Sequence, residues 1–298
     1  MGGDLAEPGV CALVTHDVEL QPGTQPVKQA PYRVSPQKRE RIKTAVQYLQ
    51  QHHIMEPSDS PWASPCVLVP KADGTDRLCM DYRAVNKVTI SDSFPLPRLD
   101  DLLDTIGTSQ FVSKIDLLRG YYQVPLTPRA KKISACVTLG LWQYRYMLFG
   151  LKNAPATFQR MMNQVTSGLE GTQVYLDDLL VVADSWEEHL LRLEQLFDRL
   201  SSSELVINLA KCEFSRATVT YLGHVVGQGK TAPKTAKIEA IARFPVPSDR
   251  RGLRRFLGMA GFYRRFCKNF ASVANPLTNL LSPKKPFKLN LGVQHFVV

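Results

Sequence analysis

The chain has 298 residues, 44% of them hydrophobic, and a formal net charge of +10, enough for one large or two to three smaller units with a hydrophobic core. No apolar run approaches the roughly 18 residues that cross a bilayer, and the N-terminus lacks a secretory signal pattern. We therefore expect an intracellular, cytoplasmic protein without a membrane partner. The six scattered cysteines have no CxxC spacing, which argues against a disulfide framework or a zinc site.

The N-terminal part of the chain predicts an extended arm, a helix and a hairpin. Residues 1–33 are rich in Pro, Gly and Gln, a composition typical of an irregular arm. A helix is predicted from Ser35 to His52, because Ser35 can cap it and apolar residues follow at helical spacing. The segments "CVLVP" and "LCMDY" then predict two strands that the "KADGTDR" turn joins.

Helices and strands alternate through the middle of the chain. "FPLPRLDDLLDTI" and "NAPATFQRMMNQV" predict helices, and "FVSKIDL" predicts a strand that ends near Asp116. "VYLDDLLVV" predicts two strands joined across Asp177 and Asp178, and a long helix follows over Trp186 to Ser202. This mixture predicts an α+β fold in which helices cover one face of a sheet.

Positive charge is concentrated in the last part of the chain. "TYLGHVVGQG" predicts a hairpin, and "RRGLRRFLGMAGFYRRF" predicts a helix with one apolar side. From Lys234 onward, 13 Lys and Arg face only Glu239 and Asp249, a net charge of +11, so the rest of the chain is nearly neutral. Such asymmetry favours a polyanion partner, most often nucleic acid, although a solvated basic face is the simpler alternative.

Three aspartates at the ends of apolar strands are candidate catalytic residues. A strand–turn–strand unit places Asp177 and Asp178 at one hairpin tip, although Asp is also common in ordinary turns. A neighbouring strand that ends at Asp116 brings a third carboxylate next to Asp177. Clustered carboxylates raise one another's pKa unless a cation lies between them, and oxygen ligands suit Mg²⁺ or Mn²⁺. Two such ions about 3.5–4 Å apart can catalyse phosphoryl transfer.

A triphosphate substrate also requires cations away from the carboxylates. The chain has no GxxxxGK[ST] loop. The "PKADGTDR" hairpin offers Lys71 and Arg77 instead, as a point charge and a planar fork. Such residues on hairpins are usually only solvated, so both interpretations stay open.

Six motifs in order carry a resemblance to a known family: "SPWASPCVLVPKADGTDRLCMDYRAVNKVT", "FVSKIDLLRGYYQVPL", "FGLKNAPATFQRMMN", "VYLDDLLVVAD", "NLAKCEF" and "TYLGHVVG". From about Thr15 to Leu281 the chain resembles the reverse transcriptase of gypsy-type LTR retrotransposon Pol polyproteins, which is related to retroviral enzymes. The resemblance implies an RNA-directed DNA polymerase with a right-hand fold of fingers, palm and thumb. It would add dNTPs to a primer on an RNA or DNA template, in the cytoplasm or in virus-like particles.

The resemblance also implies boundaries and partners. The implied divisions are 1–33 for the arm, 34–92 and 126–148 for the fingers, 93–125 and 149–231 for the palm, 232–285 for the basic thumb, and 286–298 for a truncated tail. No RNase H domain is expected in this tail. Association with a second copy or with other Pol domains is left open.

The residues that match the family's motifs are expected to share its roles. The catalytic set comprises the metal-binding Asp116, Asp177 and Asp178 and the proton donor Lys211. The nucleotide-binding set comprises Lys71, Arg77, the steric-gate Tyr121, Phe149 and Gly150. The primer grip comprises Leu222, Gly223 and His224. The residues for the nucleic-acid backbone are Arg250, Arg251, Arg254, Arg255, Arg264 and Arg265. Two Mg²⁺ or Mn²⁺ ions are the implied cofactors.

Some residues depart from the family's pattern. Leu148 stands where Pro is usual, Asp76 where an aromatic residue is frequent, and Cys136 where Phe is common. Two alternatives therefore stay open beside an active polymerase. One is a catalytically silent nucleic-acid-binding remnant. The other is a metal-dependent nuclease, which explains neither the tyrosine gate nor the hairpin and ranks last.

Overall fold

The computed structural model describes residues 9–70, 74, 76–106, 109–283 and 287. The chain divides into two compact units. The first consists of Met1–Arg98 and Val112–Ser215, and the second of Leu99–Phe111 and Arg216–Val298. Within the described ranges, no helix combines the length and the apolar character that a bilayer crossing requires.

Helices and strands alternate along both units. The α-helices are α1 Pro36–Gln51, α2 Arg83–Val88, α3 Leu99–Ile106, α4 Pro128–Ile133, α5 Ala154–Val165, α6 Trp186–Ser202, α7 Thr235–Ala242, α8 Arg250–Phe262 and α9 Phe270–Asn279. Short 3₁₀ helices cover Gly120–Gln123, Leu209–Lys211 and Arg264–Phe266. The strands are β1 Met55–Pro57, β2 Ser64–Pro70, β3 Asp76–Met80, β4 Phe111–Asp116, β5 Cys136–Val137, β6 Leu141–Tyr144, β7 Thr172–Tyr175, β8 Asp178–Ala183, β9 Glu213–Arg216, β10 Val219–Tyr221, β11 His224–Gly227 and β12 Lys230–Pro233.

A five-stranded sheet with the order β1-β6-β5-β2-β3 contains the predicted fingers hairpin. β2 and β3 pair antiparallel from Cys66 opposite Met80 to Pro70 opposite Asp76, so the hairpin predicted from the sequence is confirmed. Lys71, which was predicted to bind nucleotide, lies outside the described residues. Arg77 is described and stands on β3.

A four-stranded sheet with the order β7-β8-β4-β9 carries the candidate catalytic residues. β8 is buried from Leu179 onward, because α6 packs against it while α5 packs against β7. β8 lies next to β4, so the predicted adjacency of the Asp116 strand and the double-aspartate hairpin is confirmed. Strand order therefore brings residues about 60 positions apart into one site.

Local sequence features determine where the long helices begin and end, whereas the N-terminal arm is held by packing against the core. Ser35 caps α1 by accepting a hydrogen bond from the Lys38 amide at 3.4 Å, and α6 begins and ends at the predicted residues. In the described part of the arm, Cys11 and Val18 are buried in the core. This segment is thus part of the first unit's core rather than a loose extension.

The second unit combines a small sheet with helices. β10, β11 and β12 form a three-stranded antiparallel sheet, α3 contacts β11, and α8 contacts α7 and α9. The predicted basic helix is shorter than expected, because α8 ends at Phe262 and a 3₁₀ turn follows. Gly258 and Gly261 in its last turns have low helix propensity, which agrees with this early end.

Candidate active site

The double-aspartate hairpin has a two-residue turn that differs by one position from the prediction. Tyr175 pairs with Asp178, so the turn residues are Leu176 and Asp177, and Asp178 is the first residue of β8. The sequence had placed both aspartates in the turn. Leu176 has φ +56°, a left-handed conformation that is unfavourable for a bulky side chain. The turn therefore depends on support from its surroundings.

Gln159 provides that support, and sequence reasoning missed it. It lies on α5 and is fully buried. Its Oε1 accepts a hydrogen bond from the Leu176 amide at 2.8 Å, and its Nε2 donates to the Val174 carbonyl at 3.2 Å and to Asn163 Oδ1 at 2.9 Å. A buried polar group with all its hydrogen bonds satisfied specifies one geometry. The available signal was a glutamine on the buried side of an amphipathic helix.

The carboxylates influence one another's protonation. Burial raises the pKa of Asp116, the Lys211 ammonium opposes this shift, and the charge of Asp177 adds to it. Asp177 is exposed, yet loss of water on its protein side raises its pKa, and the charge of Asp178 adds to this rise. Lys114 and Lys211 lower it. Like charges held close together in this way favour a bound cation.

Lys114 is a second site residue that sequence reasoning missed. Its Nζ lies 2.9 Å from Asp178 Oδ1, and the two side chains are 21% and 26% exposed. Lys114 stands two residues before Asp116 on β4, and alternate residues of a strand share one face. That alternation was the signal that could have placed Lys114 among the carboxylates. The ion pair compensates the charge of Asp178.

The segment with Lys211 is fixed to the backbone of Asp116. The Asn208 amide donates to the Asp116 carbonyl at 2.8 Å, and the Asp116 amide donates to Cys212 Sγ at 3.4 Å. Lys211 ends the short 3₁₀ helix between these two anchors, and its charge reaches both Asp116 and Asp177. The structure thus brings the predicted proton donor to the carboxylates.

The donor set fits a metal ion that arrives with a substrate. Among the described residues, no group of three or more His, Cys, Asp or Glu side chains is arranged to hold a metal ion, so the three aspartates do not form one three-ligand set. Mg²⁺ is commonly held by one or two carboxylates together with substrate phosphates. Asp116 and Asp177 suit that type of site, and Asp178 is engaged with Lys114.

Three aromatic rings form a cluster next to the double-aspartate turn. Tyr121 is 5% exposed, and its ring stacks on Phe149 at 4.4 Å between centroids and tilts against Phe158 at 5.0 Å. Burial raises the pKa of Tyr121 to about 12, with a contribution from Asp177. A β-carbon on Gly120 would lie 3.1 Å from Phe158 Cζ and 3.5 Å from Asp177 Cβ. The tyrosine is therefore packed between the core and the turn.

Phe149 is the exposed ring of this group. It is 53% exposed, and the Arg77 guanidinium carbon lies 6.0 Å from its centroid. Gly150 follows with φ +98°, a conformation that favours glycine, and its carbonyl accepts a hydrogen bond from Asn86 Nδ2 at 2.7 Å. Four of the five predicted nucleotide-binding residues thus lie in described parts of the first unit, three of them in contact.

The predicted primer-grip residues form a hairpin in the second unit. Leu222 and Gly223 make its turn with φ values of +47° and +83°, and His224 begins β11 and is 1% exposed. Three rings surround His224 with centroid distances of 5.9, 5.7 and 5.5 Å: Phe262, Tyr263 and Phe266. Burial lowers the pKa of His224. His224 therefore packs this hairpin onto the helical part of the unit.

The six predicted backbone-binding arginines divide into two groups. The first group comprises the exposed Arg251, Arg254, Arg255 and Arg264. Arg265 is exposed as well, but it has carboxylate partners. Arg250 donates to two carbonyl oxygens just past α9, at 3.3 and 3.2 Å. Arg265 pairs with Asp100 at 3.3 Å and with Asp104, both on α3. Arg250 and Arg265 thus also hold the second unit together, and nucleic-acid binding by the six arginines stays a prediction.

Residues 69–226 match the family model described as "Reverse transcriptase (RNA-dependent DNA polymerase)". The chain belongs to the reverse transcriptase family. It is 38% identical over 274 residues to the retrovirus-related Pol polyprotein from transposon 412 of Drosophila melanogaster, with 89% of this chain and 22% of that protein covered. For transposon 297 of the same organism the identity is 36% over 251 residues, with 82% and 24% covered. For transposon gypsy it is 32% over 250 residues, with 80% and 24% covered.

The predicted resemblance to gypsy-type retrotransposon reverse transcriptases is thereby confirmed. The chain spans less than a quarter of the length of these three Pol polyproteins. Two foamy viral protease-reverse transcriptase structures in complex with double-stranded DNA share the fold. Their TM-scores are 0.88 and 0.87 at 24% and 25% identity, over 97% and 98% of this chain and 52% and 62% of those chains. The predicted fold class, an α+β right-hand polymerase, is also confirmed.

Proposed function

We propose that this reverse transcriptase chain is an RNA-directed DNA polymerase that adds dNTPs to a primer 3′-OH. The observation that carries the proposal is the pair Asp116 and Asp177, which lie at neighbouring strands of one sheet and both have a raised pKa. A site whose carboxylates keep a raised pKa despite the nearby Lys114 and Lys211 favours a further cation that the substrate brings with it.

Asp116 and Asp177 would hold divalent ions, Mg²⁺ or Mn²⁺. When bound, two such ions would activate an attacking oxygen and stabilise a leaving one. The ion pair between Lys114 and Asp178 limits the excess negative charge at the site. Lys211, whose segment is anchored on Asp116, is proposed to donate a proton to the departing pyrophosphate.

Other residues of the first unit would position the nucleotide. Arg77 is exposed on β3 and is proposed to bind the triphosphate as a planar fork together with Lys71. Tyr121 follows Gly120, which lies beside Asp177, and its ring is proposed to limit the space for a ribose 2′-OH. The hydrogen bond from Asn86 Nδ2 to the Gly150 carbonyl holds the loop next to Phe149 in place.

The second unit would bind a template–primer duplex. Its exposed arginines suit sequence-independent phosphate contacts, which let a polymerase slide and make binding strongly salt-dependent. The foamy viral relatives were solved in complexes with double-stranded DNA and with an RNA/DNA hybrid, and this supports the same class of partner here. Leu222 and Gly223, the half-buried turn residues between β10 and β11, are proposed to contact the primer.

Extension of a labelled DNA primer on an RNA template, with dNTPs and Mg²⁺ or Mn²⁺, tests the proposal. We expect the wild-type chain to extend the primer and the Asp177→Asn variant to lose extension while it keeps hybrid binding. Extension by both proteins at equal rates would contradict the assigned role of Asp177.

A catalytically silent nucleic-acid-binding protein is the second candidate. It is favoured by one observation: the exposed arginines belong to a unit that does not contain the three aspartates. Such a protein would bind the hybrid with strong salt dependence and would extend no primer with either metal. The same assay therefore separates the two candidates.

A further inference from the structure

Lys114 is unusually well shielded from solvent for a lysine. Its side chain is 21% exposed, and its Nζ lies 2.9 Å from Oδ1 of Asp178, which is 26% exposed. In the ion pair of Lys132 with Asp59, by contrast, the charged atoms are 3.6 Å apart and the side chains are 55% and 87% exposed. A lysine is seldom removed from solvent unless it is paired. The contact with Asp178 therefore stabilises Lys114 in this place.

Two neighbouring strands fix both ends of this ion pair. Lys114 is on β4, and Asp178 is the first residue of β8, which lies next to β4 in the sheet. The residues that follow them, Ile115 and Leu179, are 0% exposed, so a shift of either strand to the other face would bring buried apolar groups into solvent. Lys114 and Asp116 alternate on β4, so they share a face and their backbones are about 7 Å apart. The lysine charge is thus held beside the proposed metal site.

The ion pair withdraws Asp178 from the set of carboxylates. Its Oδ1 is in contact with the Lys114 ammonium, and the described part of the chain has no three His, Cys, Asp or Glu side chains arranged to hold a metal ion. The affinity of a carboxylate site for a hard cation depends on the number of its charged ligands. A site with two available carboxylates and a lysine at its edge should bind a divalent ion weakly until substrate phosphates add ligands.

A structural role for the same ion pair makes a different prediction. Replacing a shielded ion pair by apolar side chains of similar volume is frequently neutral or stabilising, whereas removing one partner leaves a charge without its counter-ion and is destabilising. If the pair served the fold alone, its loss would change the free energy of unfolding and leave cation binding unaltered. A measurement of cation affinity therefore separates the two roles.

We propose that Lys114 is a positioning residue that holds Asp178 away from the metal ions and keeps the affinity of the nucleotide-free site for a divalent cation low. The inference rests on the proposed function, in which Asp116 and Asp177 hold the ions. Because the lysine supplies a permanent positive charge, the free chain does not need a divalent ion to compensate Asp178. The nucleotide phosphates then supply the ligands that the free site lacks.

Binding of Mn²⁺ to the full chain without nucleotide, followed by the EPR signal of the free ion, tests the proposal. We expect the Kd to fall by about tenfold or more in Lys114→Met, because Asp178 is released as a third carboxylate ligand and an opposing charge is lost. In Asp178→Asn the Kd should rise, since the lysine charge is no longer matched by Asp178 and opposes the cation. The double variant Lys114→Met/Asp178→Asn should return to within about threefold of the wild-type Kd.

Two further variants control for net charge and for the place of binding. Lys132→Met removes the same charge from an exposed ion pair of the first unit, and it should leave the Kd unchanged. The double variant Lys114→Met/Asp177→Asn should lose the gain in affinity, because the ion then lacks one of its ligands. Thermal unfolding of each variant establishes that it is folded.

An unchanged Kd in the folded Lys114→Met variant would overturn the proposal. A gain in affinity that Lys132→Met reproduces, or that persists in Lys114→Met/Asp178→Asn, would overturn it as well. The measurement does not depend on primer extension. If the affinities follow the expected order in a chain that extends no primer, the role of Lys114 stands and the polymerase function fails, so the two failures are distinguishable.

Discussion

Charged residues are arranged differently in the carboxylate site of the first unit and on helix α8 of the second unit. In the first, a few charged groups lie close enough to change the pKa of Asp116 and Asp177, and Asp178 is paired with Lys114. On α8, Arg251, Arg254 and Arg255 are exposed, whereas Arg250 binds carbonyl oxygens just past α9 and stabilises the unit itself. Charges that are partly buried act individually, whereas exposed charges act as a sum. Substitutions should therefore have large, specific effects in the first unit and small, additive effects on α8.

The largest expected effect is that of the metal-binding carboxylates. Asp116→Asn and Asp177→Asn should each lower primer extension by about a thousandfold or more, since a metal ion contributes several kcal/mol to the transition state. Asp178→Asn should lower it less, because Asp178 is already paired with Lys114. Steady-state extension rates of the three variants check this order.

The same variants also test the electrostatics of the fold. Because the pKa of Asp177 is raised, its ionised form is less favourable in the folded than in the unfolded chain, so stability is lost as pH rises through this range. Asp177→Asn should therefore raise the free energy of unfolding at pH 7. A variant that is both inactive and less stable would contradict this account.

The next effect concerns a buried histidine of the first unit. His16 is fully buried, and burial lowers its pKa from 6.5 to about 4. In this pH range the unfolded chain binds a proton at His16 and the folded chain does not. The free energy of unfolding should therefore fall by about 3 kcal/mol as the pH is lowered from 6.5 to 4. Urea unfolding across this range measures the loss. It should be largely absent in His16→Asn, and an unchanged loss in that variant would assign it to other groups.

Gln159 should show an intermediate effect. Gln159→Leu removes the acceptor of the Leu176 amide and leaves buried partners unsatisfied, which costs about 1–3 kcal/mol. It should also lower extension, because the turn that carries Asp177 loses its support. Gln164→Leu on the exposed side of the same helix is the control, and it should change stability by less than about 0.5 kcal/mol. Equal effects of the two substitutions would contradict the supporting role of Gln159 at the turn.

The smallest effects are expected on α8. Arg254→Gln and Arg255→Gln should each weaken hybrid binding modestly and reduce the slope of log K against log salt by about 0.7–0.9. Arg265→Gln should instead destabilise the second unit, because it removes the pairs with Asp100 and Asp104. Binding titrations at several salt concentrations, together with unfolding curves, separate the two groups. A salt slope that stays constant in the double variant Arg254→Gln/Arg255→Gln would contradict phosphate binding by α8.

Much of the fold was predictable because its signals are local. The Ser35 cap, the apolar spacing of α6 and the hairpin of β2 and β3 act within a few residues, and all are found in the structure. The Asp116 strand and the double-aspartate hairpin were placed side by side correctly for a similar reason, since both are apolar strands of one sheet. The turn was off by one residue, because Leu176 adopts a left-handed conformation that its residue type does not indicate.

The family, the order of helices and strands, and the residue types available for phosphoryl transfer follow from the sequence alone, because motifs, periodicity and capping are local properties of the chain. How those residues are paired depends on the folded structure. It placed Gln159 beneath the turn, Lys114 on Asp178, Phe149 over Tyr121, and Arg265 on α3. These contacts join residues far apart in the chain, and they exist only once strand order and helix packing have brought the partners together.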